Sequence, residues 1–136
     1  MPDSKHILVI EDDADDIEFL STAFSDNSLQ VKLEILNRGD QINKYLENNK
    51  PLPQLIIMDL NLPKMHGRDV LCMIRGNPRF NKVPIAVLTT SNLEEDIAYC
   101  MKNGADKYFI KPSSAEEFKN LALDLYKMSE TGSTDL

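Results

Sequence analysis

Short apolar runs recur along this chain at the spacing of strands. Ile7-Leu8-Val9-Ile10, Leu55-Ile56-Ile57-Met58, Ile85-Ala86-Val87-Leu88 and Tyr108-Phe109-Ile110 are continuous, as in strands buried on both faces. Val31, Leu33 and Ile35 alternate with Lys32 and Glu34, the pattern of a strand nearer a sheet edge. Between these runs the period changes to that of a helix. Ile17, Leu20 and Phe24 form one stripe within Asp13 to Phe24, behind an acidic first turn that suits the positive end of the helix dipole. After Gly39, Ile42, Tyr45 and Leu46 mark a second helix, stopped by Pro51-Leu52-Pro53. Val70, Leu71 and Ile74 mark a third.

Ser91-Asn92-Leu93-Glu94 has capping-box spacing and predicts the start of a fourth helix, which Asn103-Gly104 ends. Ser114 and Glu117 form a second such pair before a fifth helix carrying Phe118, Leu121, Leu125 and Met128. From Ser129 to Leu136 the chain is polar and reads as a frayed tail. Five βα units in succession predict an α/β fold, a parallel sheet with helices on both faces. No internal repeat or linker interrupts them, so residues 1–136 read as one domain with its core at about 5–128.

Composition narrows the classes. Hydrophobic residues at 42% and charged residues at 27% describe an ordinary globular chain. A net charge of −7 argues against direct nucleic-acid binding. No apolar run approaches a membrane span, and Met1-Pro2-Asp3-Ser4-Lys5 has no apolar signal region, so the expectation is a cytoplasmic protein without membrane contact. Cys72 and Cys100 fall in helix-like patterns and read as reduced, semi-buried fillers.

In open parallel sheets, ligands bind beyond the carboxyl ends of the strands. Glu11-Asp12-Asp13 follow the first run, Asp59 the third, Thr89-Thr90 the fourth and Lys111-Pro112 the fifth. Each has an ordinary reading: a solvated helix start, a loop cap, a strand-end hydroxyl, a turn opening. Together they gather carboxylates, hydroxyls and one lysine at one sheet edge. Carboxylates so placed repel unless a cation joins them, and Mg²⁺ suits such a set of hard oxygen donors. A carboxylate can also act as a nucleophile toward phosphorus, with a cation, an ammonium and a hydroxyl balancing the charge in transfer.

The chain resembles the receiver domains of two-component response regulators, over about residues 5–128. The match rests on Ile7 to Asp13, Met58 to Gly67, Val87-Leu88-Thr89 and Tyr108 to Pro112, with thirty residues from Asp59 to Thr89 and twenty-two from Thr89 to Lys111. The resemblance implies a flavodoxin-like, doubly wound (βα)5 fold with sheet order 2-1-3-4-5. It implies that Asp59 accepts a phosphoryl group and that Asp12 ligates Mg²⁺ directly. Glu11 would act on the ion through water, with Asp59 and the backbone carbonyl of Asn61 as further ligands. Thr89 would be the switch hydroxyl, Lys111 the partner of the phosphoaspartate and Tyr108 the aromatic that swings inward. Pro112 would follow a cis peptide.

The implied partners are a histidine kinase, with weaker likeness to receivers served by bacterial phytochromes, and a downstream effector or histidine phosphotransfer protein. Homodimers through the fourth and fifth helices are common in the family. Such a stand-alone receiver is a signalling module that catalyses its own phosphorylation and dephosphorylation rather than a turnover enzyme. Glu94, Glu95, Tyr99 and Lys102 are candidates for the surface that a partner reads.

Three positions depart from the family pattern. Glu11 stands where aspartate is also common and keeps the carboxylate. His66 replaces an acidic residue and reads as a surface substitution. Thr90 stands where a small residue is usual, and its bulk is expected to slow hydrolysis of the phosphoryl group. Three rivals fit less well. An aspartyl-phosphate phosphatase needs a cap for which the chain has no room. A flavin or nucleotide module needs a glycine-rich first turn where this chain has three acidic residues. A pseudo-receiver would not keep Glu11, Asp12, Asp59, Thr89 and Lys111 together.

Overall fold

A computed structural model describes residues 4–133. The predicted alternation is present throughout. The strands are β1 (Lys5–Ile10), β2 (Val31–Leu36), β3 (Leu55–Met58), β4 (Ile85–Thr89) and β5 (Lys107–Ile110). The helices are α1 (Ala14–Asp26), α2 (Ile42–Glu47), α3 (Gly67–Arg75), α4 (Glu94–Lys102) and α5 (Ala115–Ser133), with single 3-10 turns at Gly39–Gln41 and Pro78–Phe80. All strand pairs are parallel, in the order β2-β1-β3-β4-β5.

The continuous apolar runs of β1, β3 and β4 are strands because each feeds two cores, whereas β5, expected to be buried on both faces, lies at the sheet edge with Tyr108 and Phe109 half-buried and Ile110 exposed. Successive side chains of a strand point to opposite faces. Leu8, Ile10, Ile56, Met58, Ile85 and Val87 pack on one face with Ile42, Tyr45, Val70, Leu71, Ile74 and Cys100 from α2, α3 and α4. Ile7, Val9, Leu55, Ile57, Ala86 and Leu88 pack on the other with Leu20, Phe24, Phe118, Leu121 and Leu125 from α1 and α5. Burying each such aliphatic side chain contributes about 1.5–3 kcal/mol, so polar residues are tolerated only where the runs end. The edge position of β2 matches its alternation, with Ile35 exposed.

Three local expectations need correction. Helix α4 begins at Glu94 with Leu93 at its N-cap and no side-chain cap. Ser91 Oγ instead donates to Asp96 Oδ2 at 2.6 Å and accepts from the Leu93 N–H at 3.4 Å. The hydroxyl finds a charged acceptor in the first turn, so it makes a turn ahead of the helix rather than a capping box. Before α5, Ser114 Oγ does accept from the Glu117 N–H at 3.2 Å, but Glu117 Oε1 accepts from the Ser113 N–H at 3.1 Å, one residue earlier than the box requires.

The expected tail is mostly helix. Helix α5 continues to Ser133, and Ser129 is fully buried, its hydroxyl donating to the Tyr126 carbonyl at 2.6 Å. A serine that donates back along its own helix can be buried without an unpaired polar group. Residues 134–136 of that tail, like residues 1–3, lie outside the described residues.

Candidate functional site

The four chain segments expected at the site converge at the carboxyl ends of β1, β3, β4 and β5. Glu11 follows β1 and is almost fully buried; Asp12 beside it is exposed. Asp13 is the N-cap of α1, its Oδ1 accepting from the Asp15 N–H at 2.9 Å, which fixes the turn that carries Glu11 and Asp12. The Asp13 N–H in turn donates to Glu11 Oε2 at 3.1 Å.

Asp59 is buried at the end of β3, with Oδ1 accepting from the N–H groups of Leu60 at 2.7 Å and Asn61 at 3.2 Å. The following loop folds tightly over it. The Gly67 N–H donates to the Leu60 carbonyl at 2.8 Å, and a Cβ at Gly67 would lie 2.5 Å from both the Asp59 carbonyl oxygen and the Leu60 Cα. Only glycine lets α3 begin this close to the backbone of Asp59.

Lys111 closes the cluster. Its Nζ lies 2.9 Å from Asp59 Oδ2, 3.0 Å from Glu11 Oε1 and 2.7 Å from Asp16 Oδ2, and its side chain is 9% exposed. One ammonium against these three carboxylates leaves a net negative pocket, and Asp12 adds to it. Burial and the charge of Asp59 push the Glu11 carboxyl up to about 7, against the pull of Lys111 and the Asp13 N–H. For Lys111, burial works against the charged form, but the hydrogen bonds to Asp16, Asp59 and Glu11 outweigh it and hold the ammonium well above its ordinary range.

Carboxylate oxygens of Glu11, Asp12 and Asp59 all lie within 4.8 Å of one another. That is close enough for one hard cation to bridge, at the oxygen distances of about 2.0–2.6 Å such ions take. The negative pocket, the all-oxygen donor set and the raised Glu11 carboxyl together fit a divalent cation, which would relieve the repulsion Lys111 only partly offsets.

Thr89 ends β4, fully buried, its Oγ1 3.5 Å from the Ser91 nitrogen that donates to it. Met58 pairs with Val87, so Thr89 lies just past the level of Asp59 on the adjacent strand. The Lys111 N–H donates to the Thr89 carbonyl at 2.8 Å, which ties the hydroxyl-bearing strand end to the lysine. Tyr108 is half-buried against the α2–α4 core, and its hydroxyl donates to the Ser91 carbonyl at 2.9 Å. Its ring thus already touches the segment that follows Thr89.

Other expectations shift. The Lys111–Pro112 bond is trans, since no cis peptide bond occurs among the described residues; trans is the favoured isomer even before proline. His66 is exposed, as a surface substitution should be, but it is also the N-cap of α3, with Nδ1 accepting from the Arg68 N–H at 3.0 Å. Glu94, Glu95 and Lys102 are exposed on α4. Tyr99 is engaged elsewhere: its ring lies under the Arg68 guanidinium at 4.1 Å and its hydroxyl 3.1 Å from Cys72 Sγ. Both contacts are to residues of α3, so Tyr99 packs toward that helix. The cysteines are not alike, Cys72 being exposed and Cys100 fully buried.

The residue missed in the sequence is Asp16. It looks like one more acid in the first turn of α1, yet it makes the shortest of the Lys111 contacts. Its place four residues before the buried Leu20, one helical turn along, was a signal that it lies on the inward side of the helix. Its partner is 95 positions away in sequence, and no local pattern reveals such a pairing.

Comparison with known proteins bears on the family and the fold. A model of the response regulator receiver domain matches residues 7–122. Response regulator Rcp1 of Synechocystis sp. is 35% identical over 129 residues, covering 91% of this chain and 83% of that protein. The crystal structure of the Mn²⁺-bound form of Rcp1 superposes with a TM-score of 0.81 at 30% identity, covering 90% of this chain and 92% of that one. The phosphorylated cyanobacterial phytochrome response regulator RcpA gives a TM-score of 0.86 at 27% identity, covering 95% and 96%.

Proposed function

The chain belongs to the response regulator receiver domains, and from that premise we propose that Asp59 is its phosphoacceptor, served by Mg²⁺, Lys111 and Thr89. The observation that carries this is the single cluster of Glu11, Asp12, Asp59 and Lys111 at the carboxyl end of the sheet. Asp12, Asp59 and the backbone carbonyl of Asn61 would hold the ion, with Glu11 acting on it through water. When bound, Mg²⁺ offsets negative charge on the phosphoryl oxygens.

The two N–H groups on Asp59 Oδ1 fix the carboxylate and leave Oδ2, beside Lys111, as the oxygen that attacks phosphorus. An O–P bond forms as the P–N bond of a kinase phosphohistidine breaks, and the departing imidazole nitrogen keeps the electron pair. The Lys111 ammonium pairs with the new phosphoryl group. The Thr89 hydroxyl turns from the Ser91 N–H toward the phosphoryl oxygens. Vacating that space favours an inward Tyr108, which must give up or re-form its bond to the Ser91 carbonyl. The shift re-shapes the face formed by α4, β5 and α5, where a partner reads it.

Rcp1 and RcpA are response regulators, the latter of a phytochrome. Their similarity supports a phytochrome-like histidine kinase as the phosphodonor. The described helices include none long and apolar enough to cross a membrane.

An NMR titration with fluoroberyllate and Mg²⁺ tests the proposal. Backbone shifts that centre on Asp59, extend through Thr89 and Tyr108 and require Mg²⁺ are expected. Spectra unchanged by both reagents would reject Asp59 as an acceptor.

A further inference from the structure

The Lys111 ammonium hydrogen-bonds to Asp16 and Asp59 and forms an ion pair with Glu11, so it faces three carboxylates within 3.0 Å. Two of these, Glu11 and Asp59, also belong to the oxygen cluster that a cation would bridge. A dication drawn to that cluster meets an ammonium already bound to two of its ligands. The two positive charges repel, so entry of the cation requires Lys111 to loosen its hold on Glu11 and Asp59. Asp16 is the third partner and is not part of the cation cluster. It lies on the first turn of α1, on an element held independently of the Asp59 loop, and its side chain is 19% exposed.

We propose that Asp16 is a positioning residue that retains Lys111 at the site while a divalent cation takes over Glu11 and Asp59. With Asp16 present, the ammonium keeps a 2.7 Å anionic partner throughout the exchange and stays within reach of an incoming phosphoryl oxygen. Without it, the ammonium has only the two carboxylates the cation needs, and it competes for them. Asp16 therefore sets how readily the cation enters. This inference rests on the cation reading proposed above, and deepens it.

The test is calorimetric titration of the full chain with Mg²⁺, comparing wild type with Asp16→Asn, in chains that retain or lack the lysine (Lys111→Met). Asp15→Asn serves as control, because Asp15 is exposed in the same helical turn and removes the same charge. Asp16→Asn is expected to weaken Mg²⁺ binding about fivefold, and Asp15→Asn by no more than about twofold, the range of close against loose ion pairs. In the Lys111→Met background Asp16→Asn should cost no more than the control does, since there is no ammonium to retain. Asp16→Glu should recover most of the affinity in the wild-type background. Equal losses for Asp16→Asn and Asp15→Asn would overturn the inference, as would the same Asp16→Asn loss in both backgrounds. Circular dichroism of each variant confirms that the fold is intact; should Lys111→Met unfold, Lys111→Gln takes its place in the comparison. Absence of saturable Mg²⁺ binding by the wild type would instead remove the cation reading, and this inference with it.

Discussion

Glu11 is the residue at which charge, burial and cation meet. Its carboxyl sits at about 7 in the cation-free fold against an ordinary 4.5. Between those values the folded chain holds a proton that the unfolded chain does not. The raised group therefore adds stability to the cation-free protein as pH falls from 7 toward 4.5, and that increment is absent above 7. Cation affinity moves the opposite way, because the ion needs the carboxylate. Mg²⁺ binding should weaken about tenfold for each pH unit below 7 and release a proton as it occurs. Calorimetry at pH 6 and 8 measures this, and Glu11→Gln should lose the pH dependence.

Thr90 offers a second test at the same scale. It is exposed directly after the buried Thr89, and the expectation is that its bulk slows hydrolysis of the phosphoryl group. Thr90→Ala should shorten the life of the phosphorylated protein several-fold. Equal decay rates for the two proteins would show that its bulk does not screen the phosphoryl group.

Elements are held at their ends by a few polar ties. The Arg75 guanidinium, at the last turn of α3, donates to the Gly104 carbonyl at 2.8 Å and the Phe80 carbonyl at 2.8 Å, and pairs with Asp106 at 3.0 Å. Asp106 Oδ2 also accepts from the Ile85 N–H at 2.8 Å, at the start of β4. One side chain thus links α3, the turn after it, the α4–β5 connection and β4. Arg75→Ala should cost about 2–3 kcal/mol in urea unfolding, because charge-assisted bonds to buried carbonyls are lost together. Gly104 holds a φ of +106°, and an added Cβ would meet Arg75 Cγ at 2.6 Å. Gly104→Ala should therefore lose about 1–3 kcal/mol, from backbone strain and from displacing the same arginine.

The elements themselves were readable because burial on two faces leaves a continuous apolar run. Their polar ends were readable too, because a buried strand can only end in polar residues where the chain meets solvent or a ligand. What could not be read was how a polar side chain would be satisfied. Ser91 chose Asp96 over a capping amide, and Ser129 is buried because it bonds back to Tyr126. Asp16 found a lysine from the far end of the chain. Such choices depend on distances that exist only after folding.

At the scale of the molecule, the sheet order brings β1 and β3 side by side at its centre and β4 and β5 to one flank. This delivers Glu11, Asp59, Thr89 and Lys111 to one edge from segments far apart in sequence. The cost is a concentrated negative charge that Lys111 only partly offsets, so a cation bound to the folded state alone should stabilise the whole domain. Saturating Mg²⁺ at about a hundred times its Kd should add about 2.7 kcal/mol. A rise in Tm that is present in wild type and much reduced in Asp59→Asn would show it.

The most direct measurement is the intact mass of the protein after incubation with acetyl phosphate, with and without Mg²⁺, for wild type and Asp59→Asn. One phosphoryl adduct is expected on the wild type, dependent on Mg²⁺ and absent from the variant. A wild type that remains unmodified, or an adduct that persists in Asp59→Asn, would contradict the assignment of Asp59 as the phosphoacceptor.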